Sequence, residues 1–143
     1  MIYLDSELDK KIDLNYIKNK TEKILIYLSL NKDLSVLLVD DNKIKDLNKK
    51  FRNVDSVTDV LSFPQTEGIF GNSTILGDVV ISYPQAERQA PISDNNTKEE
   101  IIYLIIHSIL HLIGYDHYTK NEKEIMQKKE KEIFNFVMKQ SIL

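Results

Sequence analysis

Every histidine of this 143-residue chain falls in one stretch, HSILHLIGYDH, which runs from His107 to His117. His107 and His111 are four residues apart, so on a helix their rings stand one above the other within reach of a shared ion. The pattern then continues L-I-G-Y-D-H. Gly114 allows the backbone to leave a helix sharply, and His117 can swing back toward the pair. Three neutral ring nitrogens with a fourth position open describe a catalytic zinc site, and other divalent transition ions also suit imidazole. A hydrogen-bonded core or loop histidine accounts for any one ring alone. The glycine-spaced set of three points to a metal. Leaving buried imidazoles without partners costs roughly 1–3 kcal/mol each, and a single ion relieves that cost for all of them.

What such an ion would do is less constrained. The spacing H-x-x-x-H-x-x-G-x-x-H is shared with metzincin peptidases, which carry a glutamate directly after the first histidine as general base. Here that position is Ser108, whose hydroxyl does not accept a proton near neutral pH; its small size suits tight helix packing. Zinc lowers the pKa of bound water to about 7 without any carboxylate, so hydrolysis of another substrate stays open. Asp116 is either a carboxylate that orients a ligand or acts on water, or a turn residue.

Of the 19 basic Lys and Arg residues only Arg52 and Arg88 are arginines. Arg52 reads either as a surface ion pair or as a bidentate grip on a phosphate near the metal. Arg88, within AERQA, is expected to be solvated. Asp55, Thr58 and Asp59 read as turn or cap residues. Asp78 is unusual inside a strand and suggests a cation partner or a bulge.

These residues need positioning elements. IYL near the start suggests a strand, and residues 15–29 place Ile17, Ile24, Leu25 and Leu28 at helical spacing. LSVLLVD (34–40) reads as a strand. The helix after it would be capped by Asp41 and carry Ile44, Leu47 and Phe51 on one face. TDVLSF (58–63) reads as a strand ended by Pro64, QTEGIFGNST as a loop or hairpin-like excursion, and ILGDVVIS (75–82) as another strand. Pro84 opens a short helix through Ala90. A capping box at Thr97–Glu100 starts a helix that is apolar nearly all round and so should be central and buried. A second box, Thr119–Glu122, starts a last helix with Ile125, Met126, Ile133 and Val137 inward and the run KNEKE…QKKEKE as its solvated face. The expected architecture is one α+β domain spanning residues 1–143. In it a mixed sheet of about four strands packs against helices, one of them central and histidine-bearing.

Composition sets outer limits. With no cysteine, neither a disulfide framework nor a thiolate metal site is possible. The N-terminus lacks the pattern of a secretion signal, and the apolar run near 101–113 is well short of the roughly 20 residues that span a bilayer. A cytoplasmic protein without a membrane partner is the expectation. A net charge of −3 makes any nucleic-acid site a local patch.

Taken together and in this order, RNVDSVTDVLSFP, LGDVVIS and HSILHLIGYDH resemble the YbeY family of bacterial ribosomal-RNA maturation factors, most clearly over residues 35–135. The resemblance implies a zincin-like mixed fold with one bound zinc. It also implies a metal-dependent endoribonuclease that cuts single-stranded RNA in ribosomal RNA maturation, especially at the 3′ end of the small-subunit RNA, and serves ribosome quality control. By motif position His107, His111 and His117 would be the metal ligands, and Arg52 with His111 would carry the catalysis. Single-stranded ribosomal RNA and the ribosome or small-subunit assembly factors would be the partners. Two rivals stand beside this: a metzincin-like metallopeptidase, and a ribosome-assembly adaptor whose metal is structural.

Overall fold

A computed structural model describes residues 1–65 and 74–139. The excursion expected at 65–74 therefore lies, apart from its two end residues, outside the described residues. The strands are β1 (Ile2–Ser6), β2 (Asp33–Val39), β3 (Val60–Pro64) and β4 (Ile75–Ser82). They form a mixed sheet in the order β1-β2-β4-β3, with β1, β2 and β4 parallel and β3 antiparallel to β4 on the edge. The helices are α1 (Leu14–Tyr27), α2 (Asp41–Arg52), α3 (Tyr83–Gln89), α4 (Thr97–Leu112) and α5 (Lys120–Met138), with a short 3-10 turn at Pro91–Ser93. The expected α+β architecture is the one found.

β2 explains the layering. Leu34, Val36 and Leu38 join the main core with α1, α4 and α5, while Leu37 and Val39 join a smaller cluster with Ile44 of α2. A parallel strand buried on both faces reads as a continuous apolar run, as this one does. Ile101, Ile102, Ile105, Ile106, Ile109 and Leu110 of α4 are wholly buried. This is why α4 is apolar all round: it lies between the sheet and α1 and α5. Pro64 is accommodated as the last residue of β3 because an edge strand can spare the missing amide.

Gly77 sets the distance between this edge and the end of α4. A Cβ there would lie 2.7 Å from the Phe63 carbonyl oxygen and 2.9 Å from Leu112 Cδ2. Gly77→Ala is expected to lose about 1–3 kcal/mol of stability, the usual cost of overpacking a filled site. A lower urea midpoint with unchanged slope would register it; an unchanged midpoint would mean the edge yields freely.

Several local expectations are corrected. The cap of α2 is Asp40, whose Oδ1 accepts from the Lys43 amide at 2.8 Å. Asp41, one residue inside, instead accepts from Ser82 Oγ at 2.8 Å and Arg88 at 2.9 Å, and the Arg88 bond holds its carboxyl below the usual range. The capping box of α4 is Asn96–Glu99, one residue earlier than expected, because the Asn96 amide oxygen reaches the Glu99 N–H at 2.9 Å. Glu100 is thereby turned inward, where Gln89 and Asn95 donate to it. The box at Thr119–Glu122 forms as expected. Ile125 is exposed, whereas Met126, Ile133 and Val137 are buried. Phe51 is also exposed, its ring meeting Phe63 edge-on. Asp78 marks no bulge, since the register skips Leu76 instead, and among the described residues its side chain accepts from Gln65 Nε2 and forms no ion pair.

Candidate metal centre

The histidine pair lies on the last two turns of α4. Its rings are 5.1 Å apart, centroid to centroid, as the four-residue spacing requires. α4 ends at Leu112, and Gly114 takes φ 108°, a value that side-chain-bearing residues rarely adopt. The chain turns back there and places the His117 ring 4.8 Å from that of His111 and 5.9 Å from that of His107. Asp116 joins two of them: one donor atom from each of His111, Asp116 and His117 lies within 4.8 Å of the other two, an arrangement that could hold a metal ion, and His107 stands outside that group. Asp116 Oδ1 also accepts from the next amide, that of His117, at 2.9 Å. Burial, followed by the neighbouring His107 and His117, lowers the His111 pKa from its ordinary 6.5. A neutral imidazole with a free lone pair is the form a cation requires.

His107 brings a residue that its sequence context concealed. Its Nδ1 is bonded to the Glu130 carboxylate of α5. Glu130 belongs to the charge run expected to be solvated, yet it is 3% exposed. Its other oxygen accepts from the Tyr103 hydroxyl at 2.9 Å, and burial followed by that bond raises the Tyr103 pKa. One detail of spacing could have exposed it: Glu130 lies four after Met126 and three before Ile133, on the buried face of α5.

The rings line a cavity of about 520 Å³ whose walls include Arg52, Leu61, Ser62, Pro64, Leu112 and Tyr118. Arg52 is the last residue of α2. The helix stops there because Asn53 takes the left-handed conformation, φ 58°. Beneath it, buried Asn48 donates to the Ser56 carbonyl at 3.0 Å, tying the following loop to the helix. Arg88, expected to be solvated, is ion-paired with Asp41. Arg52 is exposed in the cavity wall with no ion pair or side-chain hydrogen bond among the described residues. Ser108 is wholly buried and is not part of the wall, as a packing residue should be. Asp55 is exposed and Asp59 accepts from Gln89, neither of them in the cavity wall. No described helix is long and apolar enough to cross a membrane.

Comparison with known proteins gives a consistent result. The profile of the family described as Endoribonuclease YbeY matches residues 3–138. A protein of that name from Aquifex aeolicus is 46% identical over 130 residues, covering 90% of this chain and 84% of the relative. Another from Clostridium botulinum is 36% identical, covering 93% of this chain and 95% of the relative. The solution structure of TM1509 from Thermotoga maritima superposes with a TM-score of 0.70 at 31% identity, covering 96% of this chain and 89% of that one.

Proposed function

The chain belongs to the endoribonuclease YbeY family, and from that premise we propose that it is a metal-dependent endoribonuclease that cuts single-stranded ribosomal RNA. The observation that carries this reading is one cavity shared by three converging imidazoles and an arginine that has no side-chain partner among the described residues. His107, His111 and His117 would hold the ion, with Asp116 beside two of them. The nitrogen-rich donor set favours zinc and also suits other divalent transition ions. When bound, such an ion supplies Lewis acidity to a phosphate oxygen and lowers the pKa of water.

The chain's own groups do the rest. The Arg52 guanidinium binds a phosphate through two parallel N–H donors and neutralises the charge that grows on the phosphorus oxygens during attack. Leu61, Pro64 and Leu112 line the same cavity and reduce the local dielectric, which strengthens that attraction. Hydrolysis adds one water across a P–O bond, oxygen going to phosphorus and a proton to the departing oxygen. Lys49 and Lys50, directly before Arg52, would follow the backbone. Tyr118, 86% exposed and stacked on His117, and Phe51, with the Lys50 ammonium 5.2 Å from its ring centre, offer flat faces to unpaired bases. Buried Ser108 supplies no proton acceptor, which disfavours the peptidase reading.

The net charge of −3 argues for weak affinity toward free RNA. The ribosome or a small-subunit assembly factor in the cytoplasm would place the substrate, and the single domain would act at the 3′ end of the small-subunit RNA and in ribosome quality control. The test is cleavage of matched single-stranded and duplex oligoribonucleotides with and without a chelator. Cleavage confined to the single strand and abolished by the chelator is expected. Equal rates for the wild type, His111→Ala and Arg52→Glu would assign the activity to a contaminant.

A further inference from the structure

We propose that Glu130 is a positioning residue that fixes the tautomer of His107 and thereby presents His107 Nε2 to the ion; the inference rests on the metal site proposed above. An ionised carboxylate only accepts hydrogen bonds. Its contact with His107 Nδ1 therefore puts the ring hydrogen on that nitrogen and leaves the lone pair on Nε2. The second oxygen is held by Tyr103, one turn before His107 on α4. Glu130 thus bridges two successive turns of α4 from α5, so neither its own rotation nor that of the imidazole is free.

Charge supports the same role. Glu130 is 3% exposed, and among the described residues no Lys or Arg pairs with it; its contacts are the Tyr103 hydroxyl and the His107 ring. A buried carboxylate is unfavourable unless positive charge compensates it. A cation on the far side of the ring supplies that charge through the imidazole and makes His107 a stronger donor in return. A second cavity of about 90 Å³ touches Glu130, His107 and His117. If the side chain is shortened, water can enter there and bond to either ring nitrogen.

The experiment uses the metal-free full chain and long-range proton–nitrogen NMR of the imidazoles, then zinc affinity by competition with a chromophoric chelator. In the wild type His107 is expected as the Nδ1–H tautomer. Glu130→Gln keeps the shape and one acceptor but loses the charge; Glu130→Ala loses both. Zinc affinity should fall by about 10-fold in the first and toward 100-fold in the second, and Glu130→Ala should show mixed tautomers. An Nε2–H tautomer in the wild type, or wild-type affinity in both variants, overturns the proposal. If the wild type bound no zinc, the metal reading would fall by itself, while the tautomer in the metal-free chain would still decide what Glu130 does.

Discussion

Replacing His111 with alanine is expected to remove the ion and lower the rate of single-stranded RNA cleavage by more than about 100-fold, the upper limit for losing a mere orienting partner of a ligand. His111 is the middle ring of the set, 5.1 Å from His107 and 4.8 Å from His117, so its loss leaves the other two without a common neighbour. It is also the imidazole whose neutral form is favoured by burial and by the two other rings. Alanine is a strong helix former, so α4 should survive the change. Initial rates on a fluorescent oligoribonucleotide, alongside circular dichroism to monitor folding, would check this. Full activity in a folded His111→Ala protein would remove the metal from the chemistry.

Arg52→Ala should separate charge stabilisation from metal binding. Loss of one donor aimed at developing negative charge typically costs about 10²–10³ in kcat, and a fall of that size is expected with metal content unchanged. Lysine should not restore the rate, because an ammonium cannot make the two parallel bonds of a guanidinium. Arg88→Ala is the matched control. Its partner is Asp41 and the pair is partly exposed, so its removal should cost little stability and leave cleavage intact. Single-turnover kinetics would check both variants. A drop in bound metal with Arg52→Ala would place that arginine in the wrong role.

The sequence made much of this legible because spacing and backbone chemistry are local. The i, i+4 histidines and Gly114 can be read without knowing any tertiary contact, and the apolar circumference of α4 announces its burial. What escaped depends on contacts between elements. Glu130 looks like its solvated neighbours in KEKE until α5 is laid on α4. Arg52 is marked out by its motif, but the partner of Arg88 is not: only the fold puts Asp41 beside it. The caps of α2 and α4 slipped by one residue because Asp40 and Asn96 compete with equally suitable neighbours, and local geometry decides between them. Ile125 and Met126 differ by one position on α5, and only Met126 falls on the face that joins the core.

Elemental analysis of the purified protein beside His117→Ala gives the most direct test of three imidazoles sharing one cation. About one zinc, or another divalent transition ion, per wild-type chain and almost none in the variant is the predicted result. Equal metal content in the two proteins would mean that the ring brought back by the turn at Gly114 is not a ligand, and the account of the site would be contradicted.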